Sequence, residues 1–232
     1  MALVFLAVAG NEKRAAAGLT RQNWKSAVLI VLAFVGIYIV RTVVSVAVQG
    51  VSDGSGMQYV KEWAAMFKNP MMWLNIAALP INYFFVFIAF FGEEYGWRYY
   101  LQPVLQKRFG LRAGVIILGV VWGLWHIPDD LFYYTQTSGI QMIFAQQITC
   151  ISLGIFFAYA YMKTQNIWVP VCLHYLNNNL IPIISGTFSA DVLENQTVSW
   201  KDLPVALVLN GLCFGFFLLA DVFKKKEVQE EE

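Results

Sequence analysis

The stretch FFGEEYGWRYYLQ, residues 90–102, decides how this chain is expected to fold. Two adjacent carboxylates, Glu93 and Glu94, follow a long apolar stretch, and Arg98 comes four residues after Glu94. Ionisable side chains are costly inside a bilayer, and those that occur there usually face a cavity or one another. The stretch therefore predicts a polar site enclosed by membrane-spanning helices.

The composition supports a membrane protein. The chain has 232 residues, of which 58% are hydrophobic and 13% charged, and its net charge is +1. A soluble domain carries about 25% charged residues, roughly twice this fraction. The near-neutral charge gives no indication of a nucleic-acid partner. Cys150, Cys172 and Cys213 all lie in apolar runs without CxxC spacing, which is typical of small core residues.

The apolar runs predict an all-α fold, a polytopic helical bundle with six transmembrane helices. A bilayer span needs about 20 helical residues. The six predicted spans lie at 26–48, in the stretch that leads into residues 81–106, and at 113–127, 140–162, 167–184 and 203–220. Pro80 is expected to interrupt the second apolar stretch. Segments 2–9 and 70–79 are candidates for one or two further half-spans.

The basic residues predict the orientation. Eleven lysines and arginines fall on one side of the predicted membrane, at 13–25, 107–112, 163 and 224–226, against three on the other. Cytoplasmic loops carry an excess of Lys and Arg. Both termini are therefore expected in the cytoplasm, and the short loops favour the cell membrane of a bacterium.

Helix geometry places the few polar intramembrane groups at one depth. At ~1.5 Å per residue, Glu94 lies about 20 Å from the cytoplasmic end of its helix, His126 about 21 Å and His174 about 16 Å. Asn178, one turn beyond His174, reaches about 22 Å. We therefore expect these side chains to meet in one cluster.

A purely structural interpretation stays open for parts of this cluster. A single histidine inside a membrane bundle is often a hydrogen-bonding partner between helices. Glu94 and Arg98, spaced i and i+4 with the acid first, are expected to form an ion pair on one helix face. The combination of glutamate, two histidines and asparagine from three helices favours a catalytic site instead.

Three motifs in this order resemble a known family. EEYGWR (93–98) fits EExxxR, WGLWH (122–126) fits FxxxH with Trp122 in place of Phe, and HYLNN (174–178) fits HxxxN. The sequence thus resembles the CPBP family of intramembrane endopeptidases, which includes CAAX prenyl proteases, Abi proteins and lysostaphin-resistance-like proteins. The resemblance extends from about residue 84 to residue 183.

The resemblance implies a role for each matching residue. Glu93, helped by His126, would activate the attacking water. His174 and Asn178 would stabilise the oxyanion of the tetrahedral intermediate, since peptide hydrolysis needs both a base and oxyanion donors.

The remaining motif residues, Glu94, Arg98 and Trp122, would support this set. The chain then divides into residues 1–83 (cytoplasmic segment, first span and linker), a four-helix catalytic core at 84–185, and residues 186–232 with the last span and the charged tail.

A zinc site is the mechanistic alternative. Glu93, His126 and His174 are ligand types that zinc accepts. The helical HExxH pattern of zinc peptidases is absent from the sequence. We therefore expect a glutamic-type protease without a cofactor.

Two function classes remain in competition. The first is an endopeptidase that cuts a membrane-embedded or lipidated peptide within the bilayer. The second is a non-enzymatic immunity or scaffold protein on the same fold, whose activity would survive the substitution Glu93→Gln. The intact set of motif residues favours the enzyme.

Overall fold

The computed structural model describes residues 14–15, 17–52, 54, 58–186 and 190–224, and every regular element in these residues is helical. The all-α prediction is confirmed. The α-helices in chain order are α1 (Trp24–Ser52), α2 (Gln58–Met66), α3 (Pro70–Glu94), α4 (Gln102–Phe109), α5 (Leu111–Trp125), α6 (Ile127–Phe132), α7 (Gly139–Thr164), α8 (Trp168–Ser185), α9 (Ala190–Glu194) and α10 (Asp202–Cys213). A π-helical segment, Tyr95–Leu101, joins α3 to α4.

Four helical stretches are long and apolar enough to cross a bilayer: Trp24–Val48, Pro70–Phe109, Leu111–Phe132 and Gly139–Thr164. This confirms a helical membrane bundle and accounts for four of the six predicted spans. The other two predicted spans are helical but weaker candidates. Helix α8 has 18 residues and contains three consecutive asparagines. Helix α10 has only 12 residues because the backbone leaves the α-helical conformation at Phe214 and continues in 3₁₀ turns.

The second span is much longer than the sequence predicted. Asn69 caps its start by accepting a hydrogen bond from the Met71 amide, and the helical chain then continues over 40 residues to Phe109. The predicted interruption at Pro80 is wrong, since this proline lies inside α3. Segment 70–79 is therefore the start of α3 and not a separate half-span. The other candidate half-span, 2–9, lies outside the described residues.

Within residues 90–102 the backbone changes from an α-helix to a π-helix. Glu94 is the last α-helical residue, and in the π-helical segment that follows the Gln102 amide bonds to the Trp97 carbonyl, five residues back. Pro103, just beyond, has no amide hydrogen to donate to the α-helical ladder. Single π-helical turns within α-helices are frequent at functional sites.

Helices α5 and α7 approach each other closely because glycines face the contact. A Cβ atom at Gly119 would lie 2.6 Å from the Cα atom of Ile151, and one at Gly154 would lie 3.4 Å from the Cα atom of Gly119. Small residues allow this close backbone approach between membrane helices. The packing fixes the position of α5, which ends immediately before His126.

An aromatic core joins α1, α7 and the end of α10. The ring of Phe34 lies 5.6 Å from Phe156 and 5.8 Å from Phe214, measured between centroids, and all three side chains are buried. Tyr38 packs edge-on against Phe34 at 5.0 Å. Helix α7 also packs against α5, α6 and α8, so it forms the centre of the bundle.

Candidate active site

Glu94 is the centre of a buried ionic cluster. Its Oε1 atom lies 2.9 Å from Nδ1 of His174, and its Oε2 atom lies 3.1 Å from Nε of Arg98. The side chains of Glu94 and Arg98 are 0% exposed and that of His174 is 3% exposed. The predicted ion pair between Glu94 and Arg98 is present. The sequence predicted that Glu94 and His174 would lie in one cluster, but not that the two side chains would bond directly.

Contacts between α3 and α8 bring these two residues together. The Tyr175 hydroxyl donates a hydrogen bond to the Leu79 carbonyl at 2.7 Å, and the Trp168 ring stacks on Phe91 at 5.3 Å. Helix α8 is thereby held along α3, with its N-terminal end beside the later turns of α3. His174, between the two contacts, faces Glu94.

Trp122 packs against three polar residues of the cluster. Its ring centroid lies 5.4 Å from that of His174 and 5.8 Å from that of His126. The guanidinium carbon of Arg98 lies 5.0 Å from the centre of the same ring. A cation over an aromatic face is attracted by the ring quadrupole, and more strongly when desolvated. Trp122 therefore links the two histidines through apolar contact.

His126 stands where α5 ends, and its ring orientation is fixed. Its Nδ1 atom lies 2.8 Å from the Trp122 carbonyl oxygen. A carbonyl oxygen only accepts, so Nδ1 carries the proton and Nε2 of the neutral ring is an acceptor. The Sγ atom of Cys150 lies 3.8 Å from Nδ1. The arrangement leaves Nε2 able to take up a proton.

Asn178 lies one turn beyond His174 and is exposed at the surface of the chain. Its Oδ1 atom accepts a hydrogen bond of 2.9 Å from Nδ2 of Asn177. Asn177 in turn accepts a hydrogen bond of 2.6 Å from the hydroxyl of Tyr38 on α1. The sequence did not predict this contact between α1 and the HxxxN motif.

Glu93 is half-buried and immediately precedes Glu94, the centre of the ionic cluster. Within the described part of the chain, its carboxylate takes part in no hydrogen bond or ion pair, unlike that of Glu94. The structure therefore brings together Glu94, Arg98 and His174, with His126 joined to them through Trp122. It does not pair Glu93 with either histidine.

Residues 73–180 match the family model described as Type II CAAX prenyl endopeptidase Rce1-like. This CAAX-protease-like segment comprises 108 of the 232 residues, so the similarity to the family extends over slightly less than half of the chain. The predicted family resemblance is thus confirmed, and the three motifs between Glu93 and Asn178 all lie inside this CAAX-protease-like segment.

One curated relative is CAAX prenyl protease 2 of Methanococcus maripaludis, which is 27% identical over 125 residues. The match covers 50% of this chain and 45% of the relative, so the aligned region spans less than half of that protein. No solved structure matches the chain. Together with the apolar helices, the family match indicates an integral membrane protein.

The zinc alternative does not fit the arrangement of the donors. Among the described residues no three His, Cys, Asp or Glu side chains are placed to hold a metal ion, and these residues include Glu93, His126 and His174. Nδ1 of His126 faces a backbone carbonyl and Nδ1 of His174 faces Glu94. We therefore assign no step to a metal.

Two carboxylates follow His126 within the CAAX-protease-like segment. Asp130 on α6 is 0% exposed, and neither of its oxygens has a hydrogen-bond partner among the described residues. Burial, followed by the charges of Asp129 and Asp130, raises the pKa of the Tyr134 hydroxyl to about 12. The stretch after His126 begins with the short helix α6.

A groove opens against α3 and the first residue of α8. Its volume is about 550 Å³, and its lining combines aromatic and apolar side chains with two arginines: Leu19, Tyr83, Phe84, Phe87, Trp168, Arg14 and Arg21 contribute to it. Phe87 lies seven residues before Glu94, and Trp168 lies six residues before His174. The groove therefore follows the same two helices that form the ionic cluster.

Proposed function

We propose that this protein is an intramembrane endopeptidase that hydrolyses a peptide bond in a lipidated or membrane-embedded peptide. One observation carries the proposal: the buried cluster of Glu94, Arg98 and His174 lies inside a segment that matches an endopeptidase family model. A buried charge is costly unless it is paired, and the charges here are paired across two helices.

In the proposed reaction Glu93 is the general base. It takes a proton from a water molecule while the water oxygen bonds to the substrate carbonyl carbon, and the carbonyl electron pair moves to its oxygen. Glu93 then returns the proton to the amide nitrogen, the C–N bond breaks and the carbonyl re-forms. The half-buried carboxylate supports this role because, among the described residues, no ion pair or hydrogen bond occupies it.

His126 assists from the end of α5. Its Nδ1 proton is held by the Trp122 carbonyl, so Nε2 is the acceptor that orients the attacking water. Proton transfer by positioned side chains of this kind contributes about 10²–10⁴-fold to a rate.

His174 and Asn178 are the proposed oxyanion donors. Glu94 at Nδ1 stabilises the protonated imidazole of His174, as the buried carboxylate does in hydrolase triads. The Nε2 hydrogen of that ring and the Nδ2 hydrogens of Asn178 are then donors for the developing negative charge. Arg98 places a positive charge beside Oε2 of Glu94.

The groove against α3 and the start of α8 supports a lipidated substrate. Its aromatic lining suits an acyl or isoprenyl chain, and the charges of Arg14 and Arg21 suit a terminal carboxylate. The name of the relative, CAAX prenyl protease 2, agrees with this substrate class.

The test uses purified protein in liposomes with an internally quenched, farnesylated peptide ending in a CAAX sequence. We expect cleavage by the wild type and a loss of at least about 10²-fold in the rate for Glu93→Gln, because the general base is removed. The matched control is Glu62→Gln on α2, an exposed glutamate bonded only to Gln58 among the described residues. Equal rates for wild type and Glu93→Gln would exclude the proposed base.

A further inference from the structure

We propose that Tyr38 is a positioning residue for the oxyanion donor Asn178, acting through Asn177. The inference rests on the proposed function. It adds a residue of α1, which lies outside the CAAX-protease-like segment 73–180.

Three side chains form a relay with a defined direction. The Tyr38 hydroxyl donates to Oδ1 of Asn177 at 2.6 Å, and Nδ2 of Asn177 donates to Oδ1 of Asn178 at 2.9 Å. A carboxamide oxygen only accepts and its nitrogen only donates. The two bonds therefore orient the Asn177 oxygen toward Tyr38, the Asn177 nitrogen toward Asn178, and the Asn178 oxygen toward Asn177. Each amide is oriented by its predecessor.

The relay ends with the donor of Asn178 facing outward. Because Oδ1 of Asn178 is engaged by Asn177, its Nδ2 group is turned away from Asn177. Asn178 is exposed, so this NH₂ group is accessible to an incoming peptide. An oxyanion donor is effective when it is aligned before the reaction, since no reorganisation is then needed. Without the relay, the amide could also present its oxygen, which repels an oxyanion.

Tyr38 is held rigidly enough to define this orientation. It is 4% exposed, and its ring packs at 5.0 Å against Phe34 and at 5.0 Å against Phe214. The guanidinium carbon of Arg41 lies 5.7 Å from the ring centre on the same helix. The aromatic core shared by α1, α7 and α10 therefore positions the hydroxyl against α8.

The test is a double-mutant cycle on the farnesylated-peptide assay. Tyr38→Phe keeps the buried ring and removes only the hydroxyl, and we expect kcat to fall on the order of 10-fold to 100-fold with little change in KM. In an Asn178→Ala background the same change should alter kcat by less than about twofold, because the group that the relay orients is already gone.

The matched control is Thr164→Val, which removes another buried hydroxyl bond, from Thr164 to the Ala160 carbonyl at 2.7 Å, outside the three motifs. It should leave kcat near the wild-type value. If Tyr38→Phe lowers kcat equally with and without Asn178, the hydroxyl has a structural role and the inference is overturned. Wild-type kcat for Tyr38→Phe overturns it as well. An inactive wild type would instead overturn the proposed function, and this inference with it.

Discussion

Oε1 of Glu94 accepts a hydrogen bond from Nδ1 of His174 at 2.9 Å, although the two residues are 80 positions apart in the chain. Oε2 of the same carboxylate faces Arg98 at 3.1 Å. One buried acid thus connects two motifs on α3 and α8 and balances the charge of a third residue. The contact contributes both to the packing of the helices and to the orientation of the imidazole.

Removing the charge of Glu94 should destabilise the protein. Glu94→Gln leaves the buried guanidinium of Arg98 without a counter-charge, and breaking a buried pair in this way costs about 3–5 kcal/mol. The loss of stability is measured by heating the protein in detergent and quantifying the remaining folded fraction by size-exclusion chromatography. The double variant Glu94→Gln/Arg98→Met should recover part of it, since no unpaired charge remains. A single variant as stable as the wild type would contradict the pairing.

Trp122 should tolerate an aromatic replacement but not truncation. Trp122→Phe retains a ring between His126 and His174 and supplies the residue usual in the FxxxH motif, so activity should stay within about tenfold of the wild type. Trp122→Ala should cost about 3–5 kcal/mol of stability through the cavity it leaves. Melting temperatures and peptide cleavage rates, measured on both variants, check this. If Trp122→Phe and Trp122→Ala lowered stability and cleavage rate equally, the ring contacts of Trp122 with His126 and His174 would not be important for the site.

A methyl group at Gly119 should disturb the site from a distance. The added Cβ would lie 2.6 Å from the backbone of Ile151, so α5 must move away from α7, and overpacking of this kind costs about 1–3 kcal/mol. Because α5 carries Trp122 and ends before His126, Gly119→Ala should also lower the cleavage rate.

The matched control for this variant is Gly36→Ala on α1, where a Cβ meets no atom within 4 Å. This change should leave the rate unchanged and can raise stability by about 0.5–1 kcal/mol through higher helix propensity. If both variants behave alike, the close approach of α5 and α7 is not what positions the site.

Removal of divalent metal ions should leave cleavage intact. No group of three metal-ligating side chains is formed by the described residues, and the proposed steps need only carboxylate, imidazole and amide groups. Purified protein dialysed against a strong chelator should retain the cleavage rate of an undialysed sample. Complete loss of cleavage, restored by added Zn²⁺, would favour the zinc mechanism instead.

The sequence predicted the parts of the site that depend on local spacing. The pair of Glu94 and Arg98 follows from the i, i+4 rule because both residues lie on one helical face. The approach of His174 to Glu94 depends instead on how α8 packs along α3, which local spacing does not determine. The shared depth of these groups was a useful guide, but it could not identify which carboxylate would meet the imidazole.

The lengths of the helices were predicted less well. Pro80 was expected to interrupt the second apolar stretch, yet transmembrane helices tolerate proline, and α3 continues through it. Asn177 joins α8 to α1 by accepting a hydrogen bond from Tyr38. The identity of that partner depends on long-range packing of α1, a helix in which the sequence shows no motif.

The central claim is that Glu93 catalyses hydrolysis of a peptide in the membrane of the native cell. The most direct measurement compares, by mass spectrometry, the membrane peptides of cells that express wild type, Glu93→Gln or the control Glu62→Gln at equal levels. We predict that at least one uncleaved peptide accumulates only with Glu93→Gln. Identical peptide profiles in all three would contradict the account and favour the immunity or scaffold function.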